Sequence, residues 1–176
     1  MEAVKGMLSN MSAFQEMVAQ QQKVVEEAKA QEAADDAAQR AAAAAAAKQR
    51  TKLGAAVDCA YVIAAADGAT TNEELSHISS KLSTLTSDAI DGNLADELVG
   101  AAAYKVSEKG RDAVIADVAS ILGSQEEREA AFMIAAAVSW TGGGIGTQEG
   151  LALQAISKAF GWEMNAMHKL LGKARA

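Results

Sequence analysis

The chain has 176 residues, of which half are hydrophobic, 42 are alanine, seven are aromatic and none is proline. That composition favours unbroken helices and argues against an antiparallel β-domain, which draws on proline turns and on strands rich in Val, Ile, Thr and aromatic residues. The net charge of −7 lacks the basic surplus that nucleic-acid binding needs, and a single cysteine, Cys59, excludes an internal disulfide framework or a thiolate zinc site.

From Met1 to about Arg50 the only glycine is Gly6. Apolar residues recur at alternating steps of three and four: Val4, Met7, Met11, Phe14, Val18, Gln21, Val25 and Ala28, with Gln21 the one polar intruder. This 3.5-residue period is the seam of a coiled coil or of a helix that docks on a partner. It stops abruptly, because the next core positions are Glu32 and Asp35. An Ala/Glu/Gln/Arg segment follows, including the run Ala41 to Ala47, helical by propensity but with little apolar face. The spacing therefore predicts a long Ala-rich amphipathic helix over residues 1–50. Val4, Met7, Met11, Phe14, Val18, Gln21 and Val25 form its partner-binding stripe, used by a protein partner or by a second copy. Folding back onto the rest of the chain and disorder in isolation are the alternatives. Glu2 and Lys5 interrupt what a secretory signal would need as an apolar run, and no window of roughly 18 residues is apolar and free of charge. A cytoplasmic protein without a transmembrane segment is the expectation.

Residues 51–176 read differently, as short helices with clear punctuation. Lys52 to Ala66 is an apolar helix ending at Asp67-Gly68. Thr71 with Glu74 three residues on is a capping box, opening a helix on Leu75, Ile78, Ser79 and Leu82. Asp91-Gly92 opens a stretch from Leu94 to Lys109, with Gly110 as its stop. Arg111 to Leu122 follows, closed by Gly123, and Ser124 with Glu127 is a second capping box before an apolar helix through Phe132, Ile134 and Val138. Thr147 is placed to start a helix on Leu151, Leu153 and Ile156, and Gly161 separates it from a last one on Met164, Met167, Leu170 and Leu171. The predicted core comprises Val57, Tyr61, Ile63, Leu75, Ile78, Leu98, Val114, Val118, Ile121, Phe132, Ile134, Leu153, Ile156 and Leu170. The fold class is all-α: a bundle of about seven helices preceded by a long N-terminal helix.

The stretch Ala60 to Ala66 is echoed by Ala131 to Ala137. Each precedes a glycine-containing loop, a threonine (Thr71, Thr147) and an acidic helix start, which suggests two related helix–loop–helix units. Shared alanine-rich composition is the alternative, but the common loop and cap pattern favours duplication. The run Ile63-Ala64-Ala65-Ala66-Asp67-Gly68 followed by Thr71-Asn72-Glu73-Glu74-Leu75 resembles the signature loop of the TerB-like tellurite-resistance domains, and Ala159-Phe160-Gly161-Trp162 resembles the family's closing segment. The resemblance covers about 51–176 and implies a helical bundle whose two repeats cluster acidic residues linked to metal binding. It also implies a tellurite or chemical-stress role within membrane-linked complexes, with peripheral association to such a complex. Carried onto this chain, the family's acidic positions are Asp67, Glu73, Glu74 and, in the second repeat, Glu149. That repeat departs from the pattern, having Trp140-Thr141-Gly142-Gly143-Gly144 where an Asp-Gly is expected. A weak site for a divalent cation, Ca²⁺ or similar, is what remains, because such ions want six to eight oxygens.

The residues taken alone also allow Asp67, Glu73 and Glu74 to be a helix stop and a negatively charged helix start. Asp91 to Glu97 lacks the spacing of an EF-hand and reads as a turn and cap. His77 lies four residues after Glu73, on the same helix face, while Cys59 in an apolar helix reads as buried and inert. The glycine loop at Gly142 to Gly146 lacks the strand and lysine of a phosphate loop, and no nucleophile or dinucleotide motif occurs. No enzyme activity is expected. Two functions compete: a TerB-like stress-response interaction module, and a structural protein that self-assembles into an oligomer or filament through the N-terminal helix.

Overall fold

The computed structural model describes residues 2–68, 70–85, 90–140 and 145–174, with side chains described from Met17 onward and Leu85 by its backbone alone. Among these residues there are seven helices and no strand. They are α1 (Glu2–Ala64), α2 (Asn72–Leu85), α3 (Gly92–Lys109), α4 (Arg111–Ile121), α5 (Gln125–Trp140), α6 (Thr147–Ala159) and α7 (Met164–Ala174). The Ala-rich segment and the apolar stretch from Lys52 belong to one continuous helix, because nothing between Gly6 and Gly54 interrupts the run of good helix formers. No helix among the described residues is long and apolar enough to cross a membrane.

The chain divides into two units, Met1–Lys48 and Gln49–Ala176. In the first, every described side chain from Met17 to Lys48 is exposed. Local terms hold this helix: alanine propensity, the Lys23–Glu27 pair at 3.9 Å and the Gln31 Nε2 to Asp35 Oδ1 hydrogen bond at 3.0 Å, both at four-residue spacing.

The second unit is built around the end of α1. Ala55, Val57, Cys59, Ala60, Val62 and Ile63 are each no more than 1% exposed, so this segment is buried on nearly every side. Helix α2 packs on α3 and α5, α4 on α3 and α6, and α7 on α5 and α6. Of the predicted core, Leu75, Ile121 and Ile134 are only half-buried, packed against its edge, and the rest are buried. Phe132 is fully buried, with the Trp162 ring edge-on at 5.4 Å. Arg128 ties three elements together. Its guanidinium donates to the carbonyls of Leu122 (2.8 Å), Ala119 (3.1 Å) and Phe160 (3.3 Å) and lies over the Phe160 ring. It thus satisfies carbonyls that two helix C-termini leave open.

The punctuation operates with two adjustments. Gly110 (φ 81°) and Gly161 (φ 77°) take the left-handed backbone that glycine tolerates. Asp91 Oδ1 accepts from the Leu94 N–H at 2.8 Å, and Ser124 Oγ from the Glu127 N–H at 3.2 Å. Helix α4, however, stops at Ile121 with Leu122 as its C-cap, one residue before Gly123. Helix α6 is capped at Gly146, leaving Thr147 as its first residue.

Candidate functional site

The loops after α1 and before α6 bring the acidic positions into one small cleft of about 130 Å³, lined by Asp67, Glu74, His77, Lys81, Ser139 and Glu149. Its walls come from the end of α1, one face of α2, the end of α5 and the start of α6. Glu74, His77, Ile78 and Lys81 are spaced at three and four residues, so one stripe of α2 supplies a carboxylate, an imidazole and an ammonium. Asp67, Glu74 and Glu149, expected from the sequence, are together; Glu73 is exposed and does not line the cleft.

Two of these carboxylates already have work in the backbone. Glu74 Oε2 accepts from the Thr71 N–H at 2.6 Å and from the Thr71 hydroxyl at 3.0 Å, while the Glu74 N–H donates to Thr71 Oγ1 at 3.3 Å. The Thr71 N–H and hydroxyl hold the Glu74 carboxyl below the usual carboxylate range. Glu149 Oε2 accepts from the Gly146 N–H at 2.7 Å, closing the first turn of α6. Burial lowers the Lys81 ammonium, and attraction to Glu149 works against that shift.

This arrangement fits a hard cation poorly. Each capping carboxylate has an oxygen committed to amide donors, and Lys81 supplies positive charge within the cleft. Among the described residues no three His, Cys, Asp or Glu side chains converge as a metal site. The glycine run Gly142 to Gly144, and Thr141 before it, lie outside the described residues. His77 and Lys81 were legible only by extending the three-and-four spacing from Glu74 along α2. The cleft also depended on α5 and α6 packing beside α2, which no local motif reveals.

Cys59 is 1% exposed, and burial, with the charge of Asp58 beside it, pushes its thiol up to about 12. Asp58 is the unexpected neighbour. Its side chain is 3% exposed, Oδ2 accepts from Lys105 Nζ at 2.7 Å, and Oδ1 is buried with no hydrogen-bond partner. Burial raises its carboxyl and the Lys105 contact opposes the rise.

The second candidate surface is the N-terminal stripe. The side chains of Val4, Met7, Met11 and Phe14 lie outside the described residues. Of the remainder, Val18 and Val25 are 41% and 44% exposed, Gln21 is exposed, and Met17 and Val24 widen the stripe at 66% and 61%. No protein-family model, curated protein or solved structure matches the chain.

Proposed function

We propose that this protein is a non-enzymatic helical interaction module that acts in the cytoplasm and assembles, or binds a protein partner, through its N-terminal helix. The observation that supports this reading is the exposed stripe Met17, Val18, Val24 and Val25 in a unit that has no buried side chain among its described residues. Fully burying a side chain of this size contributes on the order of 1.5–3 kcal/mol, and contiguous apolar surface of this kind marks association. The TerB-like resemblance adds the narrower reading of a stress-response module, and rests on the Asp67 loop and its capping box. A structural, filament-forming role unrelated to stress is the competing reading and shares the same stripe.

Size-exclusion chromatography with light scattering, comparing the full chain with a chain beginning at Gln49, tests this directly. The full chain is expected to be oligomeric, or to gain mass with a partner, and the shortened chain to be monomeric. Two soluble monomers that capture nothing would end the proposal. Any divalent-cation binding at the Asp67–Glu74–Glu149 cleft is weak, in the range of about 10⁻⁴ M or poorer that few-ligand calcium sites reach. Calorimetry with Ca²⁺, Mg²⁺ and Mn²⁺ measures it, and submicromolar binding that survives replacing all three carboxylates by alanine would place the site elsewhere.

A further inference from the structure

A further concavity of the second unit is separate from the acidic cleft. It is an open cleft of about 460 Å³ between the end of α1, α2, α3 and the start of α4. Ala65, Leu75, Ala103 and Val106 give it apolar walls, Tyr104 lines it while 67% exposed, and Arg111 supplies its cation. Arg111 Nη1 donates to the Ala66 carbonyl at 2.7 Å, which orients the guanidinium. No carboxylate pairs with Arg111 among the described residues, although the chain carries seven more acidic than basic side chains.

The N-terminal helix carries the complementary pattern. Val18, Val25 and Glu32 stand at successive seven-residue steps, and Asp35 follows three residues later, so the apolar face runs directly into two carboxylates on the same side. Two such helices paired in parallel and in register would set Glu32 against Glu32 and Asp35 against Asp35 at core positions. Like charges there oppose pairing. An apolar cleft edged by an unpaired arginine has the opposite character and accepts both halves of the pattern.

We propose that the Val18–Val25 face of one copy docks into the α1–α2–α3–α4 cleft of a second copy, with Glu32 pairing to Arg111. This rests on the reading that the N-terminal helix mediates association, and it specifies the receiving surface. Val side chains suit the apolar walls of the cleft, and a carboxylate–guanidinium contact adds a charge-assisted bond that fixes register. Each copy then has one donor face and one acceptor cleft. The contact joins unlike surfaces, so it closes reciprocally as an exchanged dimer or continues into rings and open chains.

Light scattering over a concentration series on the full-length protein tests this, with circular dichroism melts to verify that each variant is folded. Val25→Glu, Arg111→Glu and Glu32→Arg are each expected to raise the concentration needed for assembly by about tenfold or more, the first by placing a charge on the apolar face and the other two by loss of roughly one charge-assisted contact. The Arg111→Glu/Glu32→Arg double variant recovers assembly. Val25→Glu retains its cleft and Arg111→Glu retains its helix face, so mixing the two single variants yields a heterodimer that grows no further. If Arg111→Glu assembles like the unmodified chain while Val25→Glu is monomeric, the helices pair with each other; the cleft assignment falls and the association reading stands. If the unmodified chain is monomeric throughout without a partner, or Val25→Glu has no effect, the docking is overturned.

Discussion

Met17–Lys48 and Gln49–Ala176 are both helical and both rich in alanine, but alanine does different things in the two regions. Ala41 to Ala47 are all exposed, and contribute through helix propensity alone. Ala60, Ala102, Ala135 and Ala136 have no exposed surface at all, and their small size lets neighbouring helices approach. The distinction lies in what surrounds them. Around Ala60 stand Val57, Val62 and Ile63, which fill a core, whereas the alanine run from Ala41 has no large apolar residue within it. Propensity makes a helix in both places, and only patterned bulk makes one that packs.

The contrast is broken most easily at the core. Phe132→Ala removes a fully buried ring and its edge contact with Trp162, and is expected to cost about 3–5 kcal/mol in chemical denaturation. A loss under about 1 kcal/mol would mean that α5 is not packed as described. Arg128→Ala leaves three helix-end or loop carbonyls without their donor and should cost about 2–3 kcal/mol, with Arg128→Lys recovering only part, since an ammonium cannot span all three.

Asp58 sharpens the comparison through pH. Its folded carboxyl titrates above its ordinary value, so the charged form is penalised by folding at neutral pH, and that penalty is relieved as pH falls through the folded value. The groups acting on it are Lys105, Asp117 and Lys109. Asp58→Asn is therefore expected to stay within about 1 kcal/mol of the unmodified protein at pH 7, because Lys105 reaches water when unpaired. The unmodified protein should gain on the variant as pH is lowered from neutral through the raised folded titration of Asp58 toward its ordinary carboxylate range. Denaturation curves that show the reverse trend would mean that the Lys105 contact outweighs burial. The smallest effect belongs to the first unit: Val24→Ala should leave the denaturation of a dilute, monomeric sample unchanged within about 0.5 kcal/mol, as expected of a side chain 61% exposed. A larger loss would show that this side chain is buried in solution.

Local chemistry carried a good deal of this on its own. Thr71 with Glu74, Ser124 with Glu127, Asp91, Gly110 and Gly161 announce helix ends because capping and left-handed backbone involve groups within three or four residues of one another. The spacing of Val114 and Val118, or of Leu153 and Ile156, likewise declares a buried face before any partner is known. Glycine was a less reliable marker where a neighbour could do the same job: α4 ends on Leu122 before Gly123, and Glu149 closes α6 onto Gly146 instead of Thr147.

Other features waited on the tertiary structure. Asp58 sits in an apolar stretch of sequence, and only the arrival of α3, 47 residues away, gives it Lys105 and leaves its other oxygen dry. The acidic cleft needs α5 packed on α2 and the start of α6 brought to its rim, and the packing that brings Asp67, Glu74 and Glu149 together also adds Lys81, which changes what the cleft can hold. Arg111 is an ordinary helix-start residue by sequence, and becomes the cation of an apolar cleft because its guanidinium reaches back to Ala66. Helix ends and buried faces are set by contacts a few residues apart, so the chain determines them by itself. Electrostatic environment and concavity depend on which distant elements exclude water together, and that is decided only when the helices pack.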